Sequence, residues 1–245
     1  MKRRVRCLNA RFDALTLPET VEAIFSALAR GPHGWLCTVN VAILMMMRSD
    51  ERLQAFVERA VLTVADGQPL VWLARLLGDP LPERVTGIDL VDGVCARAAR
   101  EGKRVYLLGG THEVVAETAK RLRARHAGLR IDYGDGYFAP SESAARAARV
   151  RATGAHILFV GMGVPRQERF LEEQWHTLRV RLAIGVGGSF DVLAGVRLRA
   201  PGWVQKMGLE WLFRLAQEPR RLYQRYRVTN GEFLRLALDE LLKRQ

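Results

Sequence analysis

Residues 105–126 read VYLLGGTHEVVAETAKRLRARH: an apolar run, Val105 to Leu108, a glycine pair at Gly109-Gly110, and a helix expected from Glu113 to His126. The same order recurs along the chain. Leu62 to Ala65 forms a short apolar run that stops at Asp66-Gly67-Gln68, before a helix expected from Pro69 to Leu77. His156-Ile-Leu-Phe-Val-Gly precedes a helix near Gln167 to His176, and Arg130-Ile-Asp-Tyr precedes one across Ser143 to Thr153. Upstream, a helix over Pro18 to Arg30 with Thr16 as cap leads to a strand predicted from Trp35 to Val41, then a helix from about Ser49 to Arg59. The last predicted core strand, from Leu182, ends in Gly-Val-Gly-Gly. Strands that are apolar throughout and alternate with helices imply a parallel sheet covered on both faces, an α/β class. Ligands of such sheets bind at the carboxyl ends of the strands, where each glycine or polar cluster falls.

The 245 residues suit one large core with an appendage, and 49% hydrophobic and 26% charged residues are ordinary globular values. A net charge of +12 is not ordinary and calls for a densely anionic partner: nucleic acid, anionic lipid or phosphorylated substrate. The boundary is expected near 196/197. Residues 197–245 hold 11 Lys or Arg against 5 Asp or Glu, with Trp203, Met207, Trp211 and Leu215 spaced to share one helical face. That face suits core packing as well as interfacial insertion. The arginine-rich stretch Arg146 to Arg151 reads as a solvated helix face. Cys7, Cys37 and Cys95 form no CxxC pair, against both a disulfide framework and a zinc site. The basic opening is broken by Asn9, Arg11 and Asp13 where a signal peptide needs an apolar stretch, and no apolar run has the length to span a bilayer. A cytoplasmic chain with peripheral membrane contact is expected.

Several positions carry candidate chemistry. Gly109-Gly110 and Gly161-Met-Gly163 follow strands, and bring backbone amides near a diphosphate or form plain tight turns. Arg166 stands where a dinucleotide fingerprint needs its last glycine, so bound NAD is disfavoured. Asp66, at a strand end with Gly67 beside it, reads as an Asx turn or cap when taken alone and as a ligand-facing carboxylate in company. The company is Thr38 and Asn40, polar groups in an otherwise apolar strand, which need a bonding partner such as a ligand. Asp89 is expected to cap the helix from Leu90 to Ala99, and Asp191 to cap the next; Asp89-x-x-Asp92 lacks the adjacent aspartates of a metal-holding pair, so no metal or cofactor is expected. The five histidines show no triad or HExxH spacing.

Taken together, Thr-Val-Asn at 38–40, Ala-Asp-Gly at 65–67, Arg-Val-Thr-Gly at 84–87, Leu-Gly-Gly at 108–110, Gly-Tyr-Phe at 136–138, GMGVPRQE at 161–168, GVGGSFD at 185–191 and GLEWLFRLAQEPRRLYQRY at 208–226 resemble the WecG/TagA/CpsF glycosyltransferases. The resemblance covers nearly the whole chain in order. It implies a Rossmann-like core of the GT-E type, and an inverting transfer of a hexose-type sugar (glucose, ManNAc or ManNAcA) from a UDP-sugar to an undecaprenyl-diphosphate-linked saccharide. Such transfers serve teichoic acid, common antigen and exopolysaccharide synthesis. It implies Asp66 as base and Thr38, Asn40, Arg84 and Gln167 as pocket residues. Gly109, Gly110, Tyr137, Gly161, Gly163 and Asp191 lie in the matching motifs and are assigned to substrate and nucleotide. Arg214, Arg220, Arg221 and Arg225 are assigned to the lipid diphosphate or to anionic headgroups, since the planar guanidinium fork suits phosphate. A homo-oligomer is compatible with this reading. The competing reading is a basic nucleic-acid-binding α/β protein, but no RRM, KH or helix-turn-helix signature is present and Asp66 would have no task, so no nucleic-acid partner is expected.

Overall fold

The computed structural model describes residues 3–30 and 34–243, apart from the side chains of residues 206, 221, 222 and 225. In chain order the elements are β1 (Arg4–Cys7), β2 (Ala10–Asp13), α1 (Leu17–Arg30), β3 (Gly34–Val39), α2 (Val41–Ser49), α3 (Glu51–Glu58), β4 (Leu62–Ala65), α4 (Gln68–Leu76), α5 (Gly87–Arg100), β5 (Arg104–Gly109), α6 (His112–Arg125), β6 (Arg130–Gly134), α7 (Ser143–Ala152), β7 (Ile157–Gly161), α8 (Arg166–Leu178), β8 (Leu182–Gly185), α9 (Ser189–Leu193), α10 (Gly202–Lys206), α11 (Glu210–Gln217) and α12 (Pro219–Leu242). Six strands form one sheet in the order β4-β3-β8-β7-β5-β6. The α/β, Rossmann-like architecture with a helical C-terminal region follows the apolar-run, turn, helix pattern of the sequence.

Two compact units divide the chain, one of residues 17–38 and 87–198, the other of residues 1–16, 39–86 and 199–245. In the first, β3, β8, β7, β5 and β6 run in parallel, with Leu36 opposite Ile184, Leu158 opposite Ala183 and Leu107 opposite Phe159. Leu36, Leu107, Leu158, Phe159 and Ile184 are all buried, which is why these strands read as continuous apolar runs. The chain steps outward from β5 to β6 through α6, then returns through α7 to β7 on the opposite side of β5 and continues through α8 to β8. Right-handed crossovers in opposite directions set α6 and α8 on opposite faces. The carboxyl ends of β5 and β7 therefore flank the switch point, where open sheets of this kind take their ligands.

In the second unit the N-terminal hairpin is anchored by Asp13. Its buried carboxylate accepts the Thr63 N–H at 2.8 Å and the Arg4 Nε at 3.1 Å. The alternation that makes the hairpin is plain in retrospect: Val5, Cys7, Ala10 and Phe12 point inward and Arg4, Arg6 and Arg11 outward. The long α12 packs on α2, burying Thr229, Phe233 and Ala237, with Arg48 and Glu232 paired at 3.2 Å.

Local differences from the sequence reading have simple causes. The predicted strand stops at Val39, because the Asn40 side chain accepts the Ile43 N–H at 3.0 Å and caps a new helix, α2. Asp89 lies inside the first turn of α5 instead of capping it, and Asp191 lies inside α9, whose cap position is Gly188. The single apolar face proposed for Trp203 to Leu215 is interrupted: Gly208, at φ 64°, separates α10 from α11. Arg146 is not merely solvated, since it pairs with Asp135 at 2.7 Å and lies 5.3 Å from the Phe138 ring centre.

Candidate active site

Within the second unit, three sequence-predicted residues converge at the end of β4. The Asp66 N–H donates to the Val39 carbonyl at 2.9 Å, which sets Asp66 beside the Asn40 cap. A Cβ added at Gly67 would lie 3.7 Å from the Asn40 Cα, an ordinary van der Waals contact, so the two turns sit side by side. The Val85 N–H donates to the Ala65 carbonyl at 2.9 Å and ties the loop carrying Arg84 to the same edge. Asp66 is half-buried. Arg84 is engaged from α10 and α11: its Nη2 donates to the Gln205 Oε1 at 2.9 Å and its Nη1 to the Glu210 carboxylate. The backbone thus brings the residues that carry a carboxylate, an amide and a guanidinium to one strand end, and a helical segment from the far end of the chain lies against the guanidinium.

Within the first unit a second cluster runs along the carboxyl ends of β3, β8, β7 and β5. Thr38 Oγ1 donates to the Gly185 carbonyl at 2.9 Å, so its burial is met by the backbone and does not by itself require a ligand. The buried Gln167 amide ties the first turn of α8 to the loop after β8. Its Nε2 donates to Glu168 Oε1 at 2.8 Å and its Oε1 accepts the Gly187 N–H at 3.2 Å. That amide shapes the loop after β8 and has one further N–H to offer. The Cys37 thiol is held well above the usual thiol range, first by burial and then by the Glu168 charge, and stays protonated.

The glycine turns differ in what their backbone does. Gly110 N–H donates to the Gly161 carbonyl at 3.3 Å and the Gly136 N–H to the Gly110 carbonyl at 2.9 Å, so these amides close the turns at the switch point. Gly163 and Gly187 instead have open space where a Cβ would stand, leaving their loops accessible. Beside Gly136, the Tyr137 ring is 70% exposed, while Phe138 packs edge-on against Phe170 and has Arg146 and Arg166 over its ring. Asp191 pairs with Arg197 at 3.3 Å. Arg220 is exposed on α12 and Arg214 pairs with Glu210 at 3.2 Å, whereas the side chains of Arg221 and Arg225 lie outside the described residues.

The glycosyltransferase model described as "Glycosyl transferase WecG/TagA/CpsF family" matches residues 5–245. The chain belongs to the WecG/TagA/CpsF family. Membership makes it a glycosyltransferase of cell-surface polysaccharide synthesis, with a sugar-nucleotide donor and a lipid-linked acceptor. Among the described residues, no helix of this WecG/TagA/CpsF glycosyltransferase is long and apolar enough to cross a membrane. Nor do three or more His, Cys, Asp or Glu of the described residues gather as they would around a metal ion.

Sequence reasoning did not single out Gln205 or Glu210 as partners of Arg84. They lie 121 and 126 residues away, and only the tertiary fold joins them. The one available signal was that Glu210 is one of two acidic residues, with Glu218, in a motif rich in arginine. Glu168, which orients Gln167, sat in view within GMGVPRQE but was read only as favourable to a helix start.

The two kinds of glycine predict different outcomes. Gly109 has φ 152°, and an added Cβ would fall 2.4 Å from the Gly161 carbonyl oxygen. Gly109→Ala should destabilise the transferase by about 3 kcal/mol or more through strain and overlap. Gly163→Ala, at φ 77° with no neighbour within 4 Å, should cost only about 1–2 kcal/mol. Urea unfolding of both variants measures the difference.

Proposed function

We propose that this transferase moves a hexose-type sugar from a UDP-sugar to an undecaprenyl-diphosphate-linked saccharide with inversion, at the inner face of the cell membrane, without a metal ion. The observation that carries the reading is the junction of Asp66, Asn40 and Arg84 at the end of β4. Inversion in one displacement needs a carboxylate for the acceptor proton and cations or amides for the departing diphosphate. Asp66 takes the proton as the acceptor oxygen bonds to C1 of the sugar. The bond from C1 to the diphosphate oxygen breaks, and its electron pair leaves with UDP. Arg84, fixed by charge-assisted hydrogen bonds, stabilises that charge, and Asn40 orients sugar hydroxyls.

The open loops at Gly163 and Gly187 and the exposed Tyr137 ring support nucleotide binding at the switch-point edge, with Tyr137 offering a stacking face and Asp191 a hydrogen-bond acceptor. Thr38 and Gln167 support the same edge through Gly185 and Gly187. Residues 197–245 dock the enzyme on anionic lipid, through basic residues and exposed Trp203, Met207 and Leu212. The test is to incubate the full chain with a panel of UDP-sugars and a short-chain polyprenyl-diphosphate saccharide. One donor should be consumed with release of UDP, at a rate changed less than about twofold by EDTA, whereas loss of activity rescued by a divalent ion would reject the metal-free mechanism.

A further inference from the structure

Glu210 opens α11 in a segment where Arg and Lys prevail, and its two oxygens face different arginines. Oε2 accepts from Arg84 and Oε1 from Arg214, the latter at 3.2 Å. Gln205 holds the other end of the Arg84 fork and is itself fixed, its Nε2 donating to the Ala200 carbonyl at 2.7 Å. Arg84 and Glu210 are each only 13% exposed, so the pair differs from the exposed ion pairs that contribute almost nothing. The turn between α10 and α11 is seated as well: an added Cβ at Gly208 would lie 2.5 Å from the Trp72 ring of α4. Two guanidinium groups repel when brought together, and one carboxylate between them offsets that repulsion while leaving a net positive charge and most of their N–H donors unspent.

We infer that Glu210 is a positioning residue that joins Arg84, from the loop before α5, and Arg214, from α11, into one cationic clamp for a diphosphate. The inference rests on the proposed phosphate role of Arg84 and adds that this arginine does not act alone. The clamp is assembled before the ligand arrives, so the cost of ordering two long side chains is not charged against binding. It exists only while α10 and α11 are docked on Arg84. The shared chemistry is a diphosphate, carried by either the nucleotide or the lipid.

Calorimetric titration of the full chain with inorganic pyrophosphate, UDP and farnesyl diphosphate tests this. Arg84→Ala and Arg214→Ala should each weaken pyrophosphate binding about tenfold, and the double variant little more than either alone, because each removes the same clamp. Glu210→Gln should lose about the same tenfold, with Glu210→Asp recovering most of it. Parallel losses with UDP or with farnesyl diphosphate support the clamp and assign the source of its diphosphate. In turnover, Glu210→Gln should lower kcat/KM for the matching substrate about tenfold, with Glu210→Asp recovering most of it, a rescue that general loss of structure would not produce. Wild-type or tighter binding in Glu210→Gln, or full additivity of the two arginine variants, overturns the inference. If Glu210→Gln does not fold by circular dichroism, the two-arginine cycle decides: coupling supports the clamp and additivity rejects it. Arg84→Ala at wild-type affinity for all three probes would instead remove the underlying phosphate role, whereas a loss there beside an unaffected Glu210→Gln removes only the clamp.

Discussion

Asp66→Asn should lower kcat by about 100- to 10,000-fold, equivalent to about 3–5 kcal/mol of transition-state stabilisation, while the KM for the sugar nucleotide stays within about threefold. Asparagine keeps the shape of aspartate and its capacity to accept a hydrogen bond, but cannot take the acceptor proton. The position makes this substitution informative. Asp66 is half-buried at the end of β4, its own N–H committed to the Val39 carbonyl, with Asn40 and Arg84 at the same edge. A purely structural aspartate in a turn predicts the opposite pattern: an unfolding free energy lowered by about 1 kcal/mol and a kcat near wild type. Measuring urea unfolding beside steady-state kinetics separates the two. A variant at near wild-type rate removes the base assignment.

Replacement of Arg220, Arg221 and Arg225 together by serine should weaken binding to vesicles rich in phosphatidylglycerol by about 100-fold, because each basic residue near an anionic surface contributes about 1 kcal/mol. Arg220 is exposed near the start of α12, so its replacement removes charge without removing a buried side chain. Deleting residues 197–245 would be a cruder experiment, since that removes α12 with its buried Phe233 and Ala237, and both partners of Arg84. Transfer to an acceptor embedded in vesicles should fall with membrane binding, and transfer to a short soluble acceptor should hold within about threefold. Unchanged vesicle binding would reject membrane docking by these arginines. Equal losses with both acceptors would mean that the arginines serve chemistry instead of docking.

The parallel sheet was legible in the sequence because its strands are buried on both sides and carry no periodicity beyond being apolar; Val105 to Leu108 and Ile157 to Val160 could hardly be anything else in a chain that alternates with helices. The break at Asn40 was less plain. Thr-Val-Asn-Val continues an apolar run, and the cap declares itself only through a hydrogen bond to Ile43 three residues on. The hairpin of β1 and β2 escaped because its strands have four residues each, too few for the alternation of arginine and apolar residues to stand out. Asp66, Asn40 and the glycine turns were found because each ends or follows a strand, and sequence periodicity locates strand ends. Glu210 and Gln205 could not be found that way. Their significance lies wholly in Arg84, and a contact made across more than a hundred residues leaves no local pattern.

Asp66 emerges with a defined neighbourhood, in which the Asn40 cap and the Arg84 loop reach the same strand end and the α10–α11 segment holds the Arg84 guanidinium. The most direct test of the central claim is to isolate the lipid-linked product after reaction with a single UDP-hexose and read its mass and the anomeric coupling constant of the new linkage. The account predicts addition of one sugar unit, stoichiometric release of UDP, and an anomeric configuration opposite to that of the donor. Retention of configuration, or transfer of a sugar phosphate in place of a sugar, would contradict it.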